Sequence, residues 1–328
     1  MNFKFFLGNE NVKNQISALL ASSRLPHAII IEGEEGIGKR TLAREIAAAL
    51  VCRSDGEKPC YSCSQCNKAQ KQIHPDIYEY SAPGTANSFH VDTVRDVIND
   101  VYMAPNEADY KVYILGNAHC MNGSAQNALL KVLEEPPEYV VFILTAVSRT
   151  MMLETVLSRS VVFSLESVDE KSGAEYIVSH SEDVDYNTAL EAVCAFKGNI
   201  GKAAESISGG KMQKIIESVN NIGTAITATN EYELMKSLSV FGKDRGELVT
   251  ALSMLKTVFR DALVYNKTGE CLSGRKELVS LLRNKYTDSK LLALYNKSDD
   301  IIEMVQKNAN NALLLTKICY TFRQAVGR

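Results

Sequence analysis

The chain has 328 residues, too many for one ordinary hydrophobic core, so two or three domains are expected. Its composition, 45% hydrophobic and 23% charged with a mean hydropathy of -0.11, is that of a soluble globular protein and argues against disorder; no apolar run approaches the ~20 residues that cross a bilayer. A net charge of -3 without a block of like charges excludes a chain drawn onto nucleic acid by its overall field.

The start, Met1 to Leu7, is briefly apolar, but no small-residue cleavage site follows and Asn9 and Glu10 come at once, so it reads as mature protein. From there to about residue 165, helical spacing and short β-rich runs alternate. Val12, Ile16, Leu19 and Leu20 mark a first helix, Ala28 to Glu32 a strand, and Leu42, Ile46 and Leu50 a second helix. Asp76 to Tyr80, Lys111 to Leu115, Val140 to Thr145 and Val161 to Phe163 read as further strands. A helix on Val91, Val94, Val97 and Ile98 and another over Gly123 to Glu135 lie between them. This alternation predicts an α/β domain over 1–165, a parallel sheet covered by helices. After Glu166 the strand signals stop, and an all-α region follows, with breaks near Gly198 to Gly201, Gly209-Gly210 and Lys267 to Gly274. We divide it into a small helical domain over 166–208 and a larger one over 209–328.

Gly33-Glu34-Glu35-Gly36-Ile37-Gly38-Lys39 follows a strand and opens a helix, the setting of a phosphate-binding loop. Backbone N–H groups and the helix N-terminus would hold phosphates, with Lys39 reaching the outer ones. The next residue should be the Ser or Thr whose hydroxyl holds magnesium, yet it is Arg40; Thr41 comes one position late, turned by about 100° on the helix. Gly33, Gly36, Gly38, Lys39, Arg40 and Thr41 therefore make up a nucleotide site that is either weakened or vestigial, and whether it holds ATP or ADP stays open. A P-loop ATPase also needs acids at the end of a second core strand. Here Lys111 to Leu115 ends in Gly116-Asn117-Ala118-His119, with neither carboxylate, and the amide of Asn117 cannot act as a general base. Intrinsic ATP hydrolysis is not expected.

Eight cysteines are present. Cys120, Cys194, Cys271 and Cys319 are scattered in apolar segments and read as core thiols. Cys52, Cys60, Cys63 and Cys66 cluster around a turn containing Gly56 and Pro59, which supplies four thiolates for one closed, tetrahedral, structural Zn2+ site. An iron–sulfur cluster or reduced free thiols are the chemical alternatives.

Together these pieces resemble the bacterial DNA polymerase III clamp-loader family of AAA+ proteins. The resemblance also rests on Arg24-Leu25-Pro26-His27-Ala28 before the first strand, on the cysteine insertion directly after the phosphate-loop helix, and on His74-Pro75-Asp76. Asn127-Ala128-Leu129-Leu130-Lys131-Val132-Leu133-Glu134-Glu135-Pro136-Pro137 is close to a family signature, and Asn308-Ala309-Asn310 before Leu313 is similar to the end of such chains. The departures are similar to the family's non-hydrolysing delta-prime branch. That resemblance implies an AAA+ domain with a zinc insertion, a helical lid, and a C-terminal collar for oligomerisation. It implies a cytoplasmic partner of gamma/tau and delta subunits that meets the sliding clamp and primed DNA through the complex. Ser158-Arg159-Ser160 matches the family's Ser-Arg-Cys motif, which makes Arg159 an arginine finger acting in trans on a neighbour's nucleotide; the plainer reading is a helix cap. By the same resemblance Thr145 falls at a polar sensor position, and Gly201 stands where hydrolysing relatives carry a second arginine, with Lys202 beside it. Lys131 is a candidate contact to duplex phosphates on a helix otherwise patterned for core packing. A motor subunit that hydrolyses ATP and a scaffold without catalytic contribution are the competing functions.

Overall fold

The computed structural model describes residues 1–22, 25–82, 89, 91–181, 184–209, 211–228, 230–241, 245–268, 271–306 and 311–327. Arg24, Gly210, Asn308, Ala309 and Asn310, and residues 269 and 270 of the expected break, lie outside the described residues. The chain divides into two compact units, Met1–Ser167 and Val168–Arg328.

The first unit is built on five strands: β1 (Ala28–Glu32), β2 (Ile77–Ser81), β3 (Lys111–Gly116), β4 (Val140–Ala146) and β5 (Val161–Ser164). They pair in parallel in the order β2-β3-β4-β1-β5, with Ile30 opposite Leu144 on one side and Val162 on the other. The helices are α1 (Glu10–Ala21), α2 (Lys39–Val51), α3 (Ser64–Gln70), α4 (Val91–Val101), α5 (Gly123–Glu134) and α6 (Glu154–Leu157). Because successive strand residues point to opposite faces, the middles of β1, β3 and β4 are apolar on both, with polar residues such as Glu32, Lys111 and Thr145 at their ends. Ile29, Ile31, Ile114 and Ile143 pack with Ile16 of α1 and Leu42 and Ile46 of α2. Ile30, Leu115 and Leu144 pack on the opposite face with Val94 and Val97 of α4 and Leu129 and Val132 of α5. Toward the β2 edge the rings of Tyr78, Tyr113 and Phe142 stack with centroids 5.2 and 5.3 Å apart. The expected α/β layer is thus realised, with strand ends shifted by a residue or so and α6 reduced to a single turn.

The second unit holds α7 (Glu170–His180), α8 (Tyr186–Ala195), α9 (Ile200–Ser208), α10 (Lys211–Thr227), α11 (Glu231–Ser239), α12 (Arg245–Thr268), α13 (Lys276–Lys285), α14 (Asp288–Gln306) and α15 (Asn311–Ala325). Its described residues share one hydrophobic core, to which Ala174, Val193, Val219, Leu255, Phe259, Leu294 and Phe322 all contribute. Asn199, buried, accepts the N–H of Lys202 and so caps α9, after a turn in which Lys197 and Gly198 take positive φ. No helix among the described residues is long and apolar enough to cross a membrane.

Two buried arginines hold the second unit together. Arg275 reaches Glu191 Oε2 at 2.7 Å and Ile216 O at 3.1 Å, and also bonds Asn220. Arg323, only 3% exposed, donates to Ala228 O at 2.6 Å, Asn230 O at 2.8 Å, and Ile226 O and Ala225 O at 3.3 Å. It thereby satisfies carbonyls that α10 leaves open at its C-terminus, where a cation is also favoured electrostatically. Replacing it with a methionine of similar length should leave those carbonyls without donors, and Arg323→Met is expected to lower stability by about 3 kcal/mol, read from the urea midpoint of the helical unit's unfolding.

Candidate functional site

The phosphate loop leaves β1 at Glu32 and enters α2 at Lys39. Gly33, Gly36 and Gly38 have φ of 151°, 84° and 96°, a region that side-chain-bearing residues avoid. A Cβ at Gly33 would stand 3.0 Å from Leu165 O, and one at Gly38 would stand 3.2 Å from the ring of Phe6. Backbone and packing together therefore require these glycines. Lys39 is buried, and its ammonium donates to Gly33 O and Glu34 O, each at 2.7 Å.

Arg40, at the position expected to bind magnesium through a hydroxyl, points to β2 and pairs with Glu79. Glu79 also accepts from Arg44 Nε at 2.8 Å. Thr41 faces elsewhere: with Phe5, Arg44, Glu45, Tyr61 and Gln72 it lines a cavity of about 320 Å³ toward the cysteine module. No hydroxyl from the first turn of α2 thus stands in for the missing one.

The carboxyl end of β3 is equally occupied. A Cβ added at Gly116 would meet Ser81 Oγ at 2.7 Å and Ser81 Cβ at 3.0 Å, because Ser81 is its register partner on β2. Asn117 takes φ 56° and ψ 43°, its side-chain amide donates to Ala82 O at 2.9 Å, and its backbone N–H donates to Thr145 Oγ1 at 3.0 Å. Thr145 is buried at the end of β4, so its hydroxyl ties two strand ends together. His119 has a buried Nδ1 without a hydrogen-bond partner; burial first, and the Lys39 cation second, hold its pKa below the ordinary histidine value. Glu32, not singled out by the sequence, accepts from Arg149 Nε at 2.8 Å, Arg149 N at 2.7 Å and Ser164 Oγ at 2.6 Å, which hold its carboxyl at about 2 against an ordinary 4.5. This brace joins the β1, β4 and β5 ends around the loop.

Cys52 follows the last residue of α2, and Cys63 caps α3, where its sulfur accepts the N–H of Cys66 at 3.4 Å. Cys60 accepts from Cys63 N at 3.4 Å and from Ser62 Oγ at 3.5 Å, and Cys60 Sγ lies 3.9 Å from Cys66 Sγ. All four sulfurs lie within 4.8 Å of one another. A tetrahedral ion with bonds of about 2.3 Å sets its sulfurs about 3.8 Å apart, so this donor set fits one zinc-sized ion. The Ser62 hydroxyl, then the Ser62 and Cys63 N–H groups, draw the Cys60 thiol down to about 5. Burial pushes the Cys66 thiol up.

His74 and Asp76 connect this module to the sheet. His74 Nε2 donates to Gln65 Oε1 at 2.7 Å while Nδ1 accepts from Asp76 N at 3.0 Å, which fixes the tautomer. Asp76 is fully buried, and its carboxylate accepts the N–H groups of Asn106, Glu107 and Ala108 at 2.6, 2.7 and 2.8 Å. Burial raises its pKa, but these N–H groups outweigh it and leave the carboxyl below its ordinary value.

Arg159 follows α6. Its Nη1 donates to Thr155 O at 2.9 Å and to Ser158 Oγ at 3.2 Å, and Nη2 lies 2.6 Å from Glu134 Oε1. It both closes the short helix and reaches across to α5. Leu129 and Leu133 of α5 are buried, Leu130 is half-buried and Lys131 is exposed.

A parallel sheet of this order, with a glycine-rich phosphate loop leaving β1 between β4 and β5 and a helical region following, defines an AAA+-type P-loop protein. The model of the family described as DNA polymerase III, delta subunit, matches residues 8–169. The DNA polymerase III subunit gamma of Buchnera aphidicola (Acyrthosiphon pisum) is 26% identical over 330 residues, covering 97% of this chain and 88% of that protein. Subunit tau of Bacillus subtilis is 29% identical over 85% of this chain, and subunit delta' of Haemophilus influenzae is 35% identical over 50% of it. This chain spans about half the length of those two relatives, 53% and 50%. The chain is thus similar over most of its length to subunits of the DNA polymerase III clamp loader, and its first unit matches that family model.

The contact between Gly116 and Ser81 yields a specific expectation. Gly116→Asp should lower the stability of the α/β unit by about 1–3 kcal/mol through overpacking, and Ser81→Gly in the same chain should restore much of the loss. Thermal melts of the two variants and the parent would check it; a Gly116→Asp chain that melts with the parent would refute the packing argument.

Proposed function

We propose that this chain is a delta-prime-type stator of the clamp loader. It assembles with gamma/tau and delta subunits in the cytoplasm and hydrolyses no ATP itself. Through Arg159 it completes a neighbour's nucleotide site during ATP-dependent loading of the sliding clamp onto primed DNA. One observation carries the reading: the end of β3 offers Gly116 and Asn117 where catalysis needs two carboxylates, and neither position is free to serve. A Cβ at 116 meets Ser81, and the Asn117 amide is spent on Ala82 O. Arg40 paired with Glu79 and Thr41 turned aside support it further. We read Gly33, Gly36, Gly38, Lys39, Arg40 and Thr41 as a loop that keeps its shape without running magnesium-dependent hydrolysis.

A motor role is favoured by the names of the gamma and tau relatives and opposed by the missing acids. Within the helical unit we read residues 166–208 as the lid and 209–328 as the collar, on the family resemblance and the breaks in the sequence. Cys52, Cys60, Cys63 and Cys66 we read as the ligands of one structural Zn2+; four thiolates close the tetrahedron, so the ion braces the loop between α2 and α3 and takes no part in chemistry.

Two measurements test these readings. In a loader reconstituted with gamma/tau and delta chains, Arg159→Ala should leave assembly intact and lower DNA-stimulated ATP turnover, by about 10³-fold or more at the neighbouring site, while this chain alone turns over no ATP above background. An unchanged rate would leave a scaffold, and turnover by the chain alone that Lys39→Ala abolishes would establish a motor. Metal analysis should find one zinc per chain, lost in Cys66→Ser and released on acidification, because protons compete for the thiolates as pH falls.

A further inference from the structure

The Asn127 to Pro137 segment, close to a family signature, has no task in the function above, and the geometry gives one to its Glu134. We propose that Glu134 is the positioning residue for Arg159, an inference that rests on Arg159 acting in trans. A flexible arginine just after a one-turn helix has many rotamers, and an anion on a neighbouring subunit would have to select one of them at an entropic cost. Here the selection is already made. Nη1 is used on Thr155 O and Ser158 Oγ and Nη2 on Glu134 Oε1, which leaves the Nε–H and a second Nη2 hydrogen of the five-donor guanidinium outside these contacts. The side chain is a third exposed, so those donors remain within reach of a partner's phosphate.

The carboxylate can hold this arginine because its own helix is fixed. Asn122 Oδ1 caps α5 by accepting Ala125 N at 2.8 Å, and Leu129, Val132 and Leu133 bury one face. Glu134 is the last helical residue; Glu135 leaves helical geometry at φ -129° and ψ 65°, and Pro136-Pro137 cannot continue the helix. The α6 end is set by the same helix. Buried Gln126 donates to Met121 O at 3.2 Å and accepts Leu153 N at 2.8 Å, while Val156 is buried beneath the turn that carries Arg159. Both ends of the ion pair are therefore positioned by α5. As an exposed pair it adds little to stability, so its value lies in orientation.

The test uses the reconstituted loader with Glu134→Ala, Glu134→Gln, Arg159→Ala and the double variant, with assembly checked by size and the melt of each chain compared with the parent. Glu134→Ala is expected to assemble and melt as the parent does. It should lower kcat at the neighbouring site by between about 10- and 100-fold with little change in KM for ATP, and Glu134→Gln should fall between it and the parent. The double variant should be no slower than Arg159→Ala alone, which shows that Glu134 acts through Arg159. A loss in Arg159→Ala with Glu134→Ala at the parent rate, or faster, overturns the positioning role and leaves the finger standing. A double variant slower than Arg159→Ala also overturns it, and an unchanged rate in Arg159→Ala removes the finger and this inference with it.

Discussion

Strand β2 is clamped to β3 at both ends, and the character of the α/β unit follows from that clamp. At the near end Asp76 O accepts Val112 N at 2.8 Å while its carboxylate gathers the N–H groups of Asn106 to Ala108, so the turn before β3 cannot drift. At the far end Ala82 N donates to Gly116 O at 3.2 Å, and Asn117 reaches back to Ala82 O. Parallel pairing is register-locked once both ends are fixed, and this register sets Ser81 against Gly116. An acid at the end of β3 and this pairing compete for one volume, and the pairing has won.

The same clamp carries the cysteine module. Gln65 of α3 is joined to β2 through His74, and Lys68 of α3 pairs with Glu107 at 2.6 Å, the residue whose N–H is held by Asp76. A second attachment runs to the phosphate loop: Tyr61 donates to the buried Glu45 at 2.8 Å, Glu45 also accepts Phe5 N at 2.6 Å, and Phe6 packs on Gly38. Four thiolates on one ion would make the turn between α2 and α3 rigid, and both attachments would then transmit that rigidity to the strand end and to the loop. A structural metal beside a site without strand-end acids would be intelligible in these terms, since what it would stabilise is the frame.

What could be read in the sequence was whatever is written locally. Two-sided burial makes the middles of β1, β3 and β4 continuous apolar runs, positive φ writes glycine at 33, 36 and 38, and close thiolate spacing writes the cluster at 52, 60, 63 and 66. The loss of the acids was equally local, since Gly116 and Asn117 stand where the chemistry needs carboxylates. The partners were not legible. Arg40 with Glu79, Glu32 with Arg149, Arg159 with Glu134, and Arg323 with the end of α10 each join residues far apart in the chain, and a surface-type glutamate or arginine carries no mark of its partner. Arg159 shows the limit most clearly: the sequence opposed a cap to a finger, and the side chain caps α6 with one nitrogen while the other is held by α5. The two roles use different hydrogens of one guanidinium and do not exclude each other.

The persistence of the phosphate loop beside absent acids has a physical cause that does not invoke nucleotide. Each loop glycine is held by its surroundings: Gly33 by Leu165 O, Gly38 by Phe6, and Gly36 by a φ of 84°. Lys39 is likewise retained by burial, with Gly33 O and Glu34 O satisfied by its ammonium, so that exchange for a neutral residue would strand two carbonyls. A magnesium-binding hydroxyl and strand-end acids would have no comparable anchoring, because their side chains serve the metal and the water rather than the packing. The shape of such a loop therefore does not by itself report on activity. Arg40, Gly116 and Asn117, which stand where the chemistry needs a hydroxyl and two carboxylates, weigh more in assigning function than the intact glycines and lysine.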